Sequence, residues 1–239
     1  MLINCDVGER GPGHTLDKKL MKVIHIANLA CGGHAGDRRS VKAFRALAEA
    51  AGVRLAAHLS YPDRRNFGRR TVRISGPALL VSLDEQLALL PGVRRVKFHG
   101  ALYNEACGDP GLAELLGRWL KQAGIREILA PADAKITVSA RKRGIAVLRE
   151  AFADRRYAYG KAGRRLCLAD RSLPGAVITD LEEATEHAEG IIRRRRVNVA
   201  GLQSRRPVWK RIAADTICIH SDSPIAPELA GRLRELIET

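Results

Sequence analysis

The sequence predicts an α/β fold: an irregular seven-stranded (β/α) barrel forming one domain over residues 1–239. Three observations carry this expectation. Short apolar runs alternate with amphipathic segments, the pattern of βαβ units around a parallel sheet. Hydrophobic residues make up 46% of the chain but aromatics only 4%, so the core is aliphatic, which suits helices interleaved with buried parallel strands. Seven or eight βα repeats fit into 239 residues, and neither a linker nor a second domain interrupts them. A doubly wound open sheet is the structural alternative.

In chain order, Leu2–Cys5 reads as a strand and 16–26 as a helix, followed by strand Ala27–Cys31 and helix 38–51. Strand Arg54–Ala57 precedes helix 77–90, and strand Arg95–Phe98 precedes helix 110–123. Strand Glu127–Ala130, helix 133–143 and strand Ala146–Arg149 come next. The pattern closes with strand Ala176–Ile178, helix 181–195, strand Thr216–Ile219 and helix 225–238. Gly52, Gly124 and Gly144 each follow an amphipathic run and precede a strand, where a left-handed capping residue is wanted. Asp109-Pro110 pairs an N-cap with proline at the first helical position. Asp180 caps the next-to-last helix, with Glu182 and Glu183 in its first turn. The Arg-rich stretches 153–175 and 200–214 break the alternation and read as surface excursions, and Tyr157–Gly163 has turn chemistry.

The formal net charge is +15. The longest basic run, Arg193–Arg196, falls at a predicted helix end, where cations oppose the dipole. No aromatics interleave with the basic runs, so base-stacking platforms are absent and nucleic acid is not the expected partner. No signal-peptide pattern opens the chain, and its apolar runs are too short for a membrane helix. Five cysteines without CxxC spacing read as free, buried thiols of a cytoplasmic protein.

The informative chemistry follows the strands. Asp6 ends the first; His34 and Asp37 follow the second; His58, Tyr61 and Asp63 follow the third. His99 ends the fourth, with Tyr103 and Asn104 nearby, and His220 with Asp222 ends the last. In parallel α/β folds those ends form the face that carries the active site. Residues two apart share a side of a strand, so Asn4 faces with Asp6, Lys97 with His99 and Cys218 with His220. A lone strand-end histidine reads equally well as a capping residue, and Asp154-Arg155-Arg156 as a surface ion-pair cluster; four histidines on one face point to function. Gly32, Gly33 and Gly36 permit close backbone approach to a ligand, and Phe67–Arg70 suits a lid with a cationic clamp. Asp6, His58 and His99 make a nitrogen–oxygen set suited to a transition metal, although no HxxxH or HExxH spacing supports it. No GxxxxGK[ST] loop occurs.

Several blocks resemble the LamB/YcsF family. They are Asn4–Glu9, Ala27–Asp37, Tyr61–Asp63 with Phe67–Arg70, Val96–Asn104, Phe152–Tyr157, Pro174–Ile178 and Ala214–His220, in family order. The resemblance implies a barrel related to the glycoside hydrolase/deacetylase barrel. It implies ATP-dependent opening of the 5-oxo-L-proline lactam to L-glutamate, with ATP and Mg²⁺ used by a complex that includes 5-oxoprolinase subunits B and C. A metal-dependent amidohydrolase or deacetylase on the same barrel is the alternative, and a homo-oligomer is compatible with either. Under this resemblance Asp6, His58, Lys97 and His99 are the catalytic candidates. Asn4, His34, Asp37, Tyr61, Arg69, Asn104, Asp154, Arg155, His220 and Asp222 are the substrate-binding candidates. Leu59-Ser60 stand where the family usually has Pro-Gly, Phe98 where it has Pro, and Ser221 where it has Gly. The polar residues are kept while the shape around them changes, which leaves room for another lactam.

Overall fold

The computed structural model describes residues 1–159, 166–199 and 208–239. The elements run β1 (Leu2–Val7), α1 (Thr15–Leu20), β2 (Ile26–Ala30), α2 (Arg38–Ala51), β3 (Arg54–Leu59), α3 (Gly76–Ala88) and β4 (Arg95–Phe98). Then come α4 (Gly100–Gly108), α5 (Pro110–Gln122), β5 (Glu127–Ala130), α6 (Lys135–Arg141), β6 (Ala146–Phe152), β7 (Tyr157–Tyr159) and β8 (Leu166–Leu168). The chain continues through α7 (Leu181–Ile192), β9 (Arg196–Asn198), β10 (Trp209–Arg211), β11 (Thr216–His220) and α8 (Ala226–Glu238).

Seven parallel strands close into a barrel in the order β1-β11-β6-β5-β4-β3-β2, which excludes the open sheet. β1 seals it, pairing with β11 in register Asp6↔His220 and with β2 in register Asp6↔Asn28. The main core lies between the barrel and its helices; Phe44, Leu83, Leu102, Leu116 and Leu120 are among its fully buried side chains. A second cluster, Ile26, Ala56 and Leu129 with Leu2 and Leu148 packed against it, belongs to alternate strand residues pointing inward and plugs the lower barrel.

Local rules account for the element ends. Asp37 and Ser40 form a reciprocal capping box on α2, and Gly52 ends that helix at φ 66°. Gly124 and Gly144 also take positive φ, at 69° and 72°. Asp109 accepts from Leu112 N at the start of α5, and Asp180 from Glu183 N at the start of α7. Three expectations are corrected. Ala176–Ile178 is not a strand: Val177 makes one isolated bridge to Arg155. The segment after His99 is the helix α4, hidden in the sequence by its terminal glycines and short apolar pattern. α7 stops at Ile192, and Arg195, at φ 51°, turns the basic run into β9. Among the described residues, the first excursion contains the antiparallel pair β7–β8, and the second contributes β10, which pairs antiparallel with β9 just before it. Tyr157–Tyr159 of the expected turn is a strand, and 160–163 lie outside the described residues. The five cysteines are thiols rather than disulfides, four of them buried and Cys167 half-buried. Among the described residues, no helix is long and apolar enough to cross a membrane.

Candidate active site

Above its apolar plug the barrel interior turns polar, and Lys97 on β4 is the hub. Its ammonium lies 2.9 Å from Asp6 Oδ1 and 3.0 Å from Glu150 Oε1. It also donates to Cys218 Sγ at 3.0 Å and Asn4 Oδ1 at 3.3 Å. The side chain is only 3% exposed. Burial alone would push this ammonium's pKa down, but Asp6, Cys218 and Glu150 override it and hold Lys97 well above its ordinary range. Asp6 responds in the opposite sense: burial would raise it, but His58 and Lys97 hold it well below the usual carboxylate range. Asn28 Nδ2 donates to Asn4 Oδ1 and Asp6 Oδ1, both at 2.8 Å, and Asn4 Nδ2 donates to Thr216 Oγ1 at 2.9 Å. Tyr103 reaches in from α4 and donates to Glu150 Oε2 at 2.8 Å. A buried cation held by two carboxylates and the Asn4 amide is rigid, because each group loses its partners if it moves, and Asn28 Oδ1 alone of these amide atoms has no hydrogen-bond partner among the described residues.

The layer above holds three imidazoles and Glu9. His58 lies near the end of β3, His99 follows β4, His34 comes from the loop after β2, and Glu9 from the loop after β1. His58 Nε2 is 2.9 Å from His99 Nδ1, and His34 Nε2 is 3.0 Å from Glu9 Oε1. Glu9 Oε1 lies 3.7 Å from His99 Nδ1 and 3.9 Å from His58 Nε2, while His58 Nε2 is 3.3 Å from Asp6 Oδ2. The His34 and His99 rings stack with centroids 3.7 Å apart, and Phe67 stands edge-on to both. Backbone geometry sets Phe67 there. Phe67 and Gly68 take φ 55° and 62°, and Ala101 N donates to Gly68 O at 2.9 Å. A Cβ on Gly100 would lie 2.3 Å from Gly68 O, so only glycine lets the loop close onto α4. Burial, reinforced by neighbouring imidazoles, holds His34 and His99 well below the usual histidine range. Burial raises the Glu9 carboxyl, with His99 acting against it.

Across the mouth, His220 Nδ1 lies 2.9 Å from Asp154 Oδ1, and its backbone N–H donates to Oδ2 at 2.9 Å. Burial would lower this imidazole, but Asp154 overrides it and raises His220 above its ordinary value; the Asp154 carboxyl is lowered because His220 outweighs its burial. The ring stacks on Phe152 at 5.5 Å. Arg69 and Arg171 form the rim, each placing Nη2 2.8 Å from Asp222 Oδ2. Behind them Arg155 is buried, donates to Ala169 O at 2.9 Å, and keeps its Nε without a hydrogen-bond partner among the described residues.

The structure therefore gathers Asn4, Asp6, His34, His58, Lys97, His99, Asp154, Arg155 and His220 at the mouth, with Arg69 and Asp222 on its rim. Three candidates do not join them. Asp37 is exposed and occupied in capping α2. Tyr61 donates its hydroxyl to Glu105 Oε2 at 2.6 Å, and Asn104 lies on the exposed side of α4. Asp154 and Arg155 are buried rather than part of a surface ion-pair cluster. Sequence reasoning missed Glu9, Asn28, Tyr103, Glu150, Cys218 and Arg171 as site residues. Glu9 and Asn28 stand inside the quoted motifs, and Cys218 shares its strand face with His220. Of the expected metal trio, His58 and His99 converge with Glu9 and His34, and Asp6 converges with Cys218 and His220, each set within 4.8 Å, while Asp6 Oδ2 also lies 3.3 Å from His58 Nε2. A cavity of about 640 Å³, lined by Arg45, Arg94, Arg95 and Arg126 among others, lies at the opposite end of the barrel, away from the polar mouth.

The chain is similar to known proteins over nearly its whole length. The chain is 35% identical over 247 residues to the 5-oxoprolinase A subunit of Azoarcus sp. (strain BH72), covering 98% of this chain and 92% of that one. It is equally identical over 250 residues to the 5-oxoprolinase A subunit of Thermus thermophilus, covering 99% and 95%. The crystal structure of a lactam utilization protein from Thermus thermophilus superposes with a TM-score of 0.80 at 35% identity, covering 100% of this chain and 96% of that one. The LamB/YcsF family profile matches residues 1–239, and the chain belongs to the LamB/YcsF family.

Proposed function

We propose that this chain is the A subunit of an ATP-dependent 5-oxoprolinase, a cyclic amide hydrolase that opens the lactam of 5-oxo-L-proline to L-glutamate. Full-length similarity to proteins of that name supports the assignment. The observation that carries the chemistry is the opposed tuning of the mouth: burial lowers the His34 and His99 imidazoles on one side, and Asp154, 2.9 Å from the His220 ring, raises that imidazole on the other. Paired groups pushed apart in this way suit base and acid roles.

In this reading the substrate carboxylate meets the guanidiniums of Arg69, Arg155 and Arg171, whose fork geometry matches it. The Glu9, His34, His58 and His99 cluster activates the water that adds to the lactam carbonyl. His220, whose pKa Asp154 raises, gives a proton to the departing ring nitrogen. Asp6 and Lys97 are committed to each other and hold the floor; they orient His58 and set the local field rather than exchange protons with substrate. Ser60 and Ser221 shape the wall and set which lactam fits, while Leu59 and Phe98 face the core between barrel and helices and act on the wall from behind. Ser60 is fully buried and crowds Gly33, where a Cβ would meet its hydroxyl at 2.4 Å.

ATP hydrolysis offsets the unfavourable opening of a stable five-membered lactam. Mg²⁺ favours carboxylates free to coordinate it. Asp6 and Glu150 are paired with Lys97, Asp154 with His220, and Asp222 with two arginines. The mouth does not fit a magnesium–nucleotide site, so ATP with Mg²⁺ is assigned to 5-oxoprolinase subunits B and C in a cytoplasmic complex, with residues 1–239 acting as one domain. The test is 5-oxoproline-dependent ATP hydrolysis with and without those subunits. Turnover that requires this chain is the expected result; no turnover in the complete mixture, with every component folded, refutes the substrate assignment.

A further inference from the structure

The histidine cluster contains a contact that neutral imidazoles cannot make alone. His58 Nδ1 faces the Lys97 carbonyl at 3.2 Å, and His99 Nε2 faces the Phe67 carbonyl at 3.0 Å. A carbonyl only accepts, so each of those nitrogens carries the ring's hydrogen. In two neutral rings, the remaining nitrogens, His58 Nε2 and His99 Nδ1, then present lone pairs to each other 2.9 Å apart. Such a contact is repulsive unless a cation sits against both. A proton can bridge two rings, but it leaves unexplained why Glu9 and His34 converge on the same point.

The spacing approaches a coordination shell; because the His34 and His99 rings stack nearly parallel, His34, whose Nδ1 has no hydrogen-bond partner among the described residues, must turn to aim its lone pair at a shared ion. A tetrahedral ion with bonds of ~2.0–2.1 Å to nitrogen and oxygen has edges of roughly 3.4 Å. Four edges of this set run 2.9, 3.0, 3.7 and 3.9 Å, scattered about that length, and all four ligand atoms lie within 4.8 Å of one another. The outer shell is also of the right kind. Metal-bound histidines usually donate their other ring N–H to a carbonyl or carboxylate, which fixes the tautomer, and two of these three do so.

We propose that Glu9, His34, His58 and His99 bind one divalent transition-metal ion, zinc by the chemistry of a three-nitrogen, one-oxygen set. The ligands are Glu9 Oε1, His34 Nε2, His58 Nε2 and His99 Nδ1. A bound ion of this kind can polarise a carbonyl oxygen or lower the pKa of a water that joins it as a further ligand. The second convergent set, Asp6, Cys218 and His220, lacks the same freedom, because Lys97 occupies Asp6 and Cys218 and Asp154 occupies His220. The proposal stands apart from the substrate assignment, since metal binding is read without any activity.

The test is metal content and cobalt spectroscopy on the full chain. Protein purified without chelator is expected to carry about one equivalent of zinc. Metal-stripped protein titrated with Co²⁺ is expected to give visible bands of four-coordinate intensity that saturate at one equivalent. No thiolate-to-cobalt charge-transfer band should appear in the near ultraviolet. His34→Ala and Glu9→Gln should each weaken zinc binding by about 100-fold, at or beyond the upper end of the effect of losing an outer-shell partner, while Cys218→Ala should leave it unchanged. If these variants do not fold, the cobalt spectrum of the unaltered protein still decides. Failure to bind Zn²⁺ or Co²⁺ at micromolar concentration overturns the proposal in favour of a bridging proton. A thiolate band lost in Cys218→Ala overturns it in favour of the Asp6, Cys218 and His220 set.

Discussion

Replacing Lys97 with methionine isolates the largest electrostatic feature of the barrel. Methionine keeps most of the side-chain volume, so the change removes charge rather than packing. Lys97 is the cation between Asp6 and Glu150, at 2.9 and 3.0 Å, in a site 3% exposed. Breaking a buried pair by removing one partner costs about 3–5 kcal/mol, because the other charge stays buried without compensation. Here two carboxylates are left, and His58 remains beside Asp6 alone. For a chain of this size about 1 kcal/mol corresponds to ~2–4 °C, so the melting temperature should fall by roughly 6–20 °C. The loss should depend on pH. In the unaltered protein Asp6 has a depressed pKa, so its stabilising contribution is present above its unfolded value and is lost as pH falls through the folded one. Without Lys97 one carboxylate must bind a proton to stay buried, and its pKa rises. That penalty is largest near pH 7 and shrinks as pH approaches 4. Calorimetry of both proteins from pH 4.5 to pH 8 measures it. A melting difference under about 2 °C that does not change with pH would refute the hub role assigned to Lys97.

Other expected outcomes rest on separate contacts. Tyr103→Phe leaves Glu150 Oε2 without its hydroxyl donor in the interior and should cost about 1–3 kcal/mol in urea unfolding, with α4 still formed by circular dichroism. Asp154→Asn removes the charge that raises His220. The ion pair stabilises most between the ordinary values 3.8 and 6.5: Asp154's part is lost as pH falls through its lowered pKa, and His220's as pH rises through its raised one. The stability gap to the unaltered protein should therefore be widest there, and the basic limb of the complex's pH–rate profile should move to lower pH. Asp222→Ala breaks only partly exposed pairs, so stability should change by no more than about 1 kcal/mol, while KM for the lactam changes as Arg69 and Arg171 are released.

Much of the barrel is legible because local chemistry and global fold agree. Gly52, Gly124 and Gly144 mark helix ends by the left-handed turns they do adopt, and Asp109 and Asp180 make the caps their positions suggest. Strand ends identify the functional face, and period two places Asn4, Asp6, Lys97 and Cys218 on one interior surface. What fails is the step from near a strand end to facing the mouth. Asp37 and Asn104 sit close in sequence to His34 and His99, but a helix begins at each place and turns their side chains to solvent. Glu150 is missed for a different reason. β6 runs on to Phe152, three residues beyond where its hydrophobic pattern suggests, and that extension carries Glu150 inward. Glu9 reaches the mouth because Gly8, at φ 77°, reverses the chain just after β1.

The sealing of β1 by β11 has a consequence for how the protein is made. Asn4 and Thr216, hydrogen-bonded to each other, are separated by 212 residues. At ordinary translation speeds, roughly 5–20 residues per second, the first strand waits about 10–40 s for its last neighbour to be synthesised. During that interval one flank of β1 offers unpaired amides and carbonyls to any passing strand, even though Asn28, His58 and Lys97, the side-chain partners of Asp6, are already made. The nascent barrel is thus most open to misassembly at β1. The polar mouth, assembled from both ends of the chain, is among the last parts of the molecule to form.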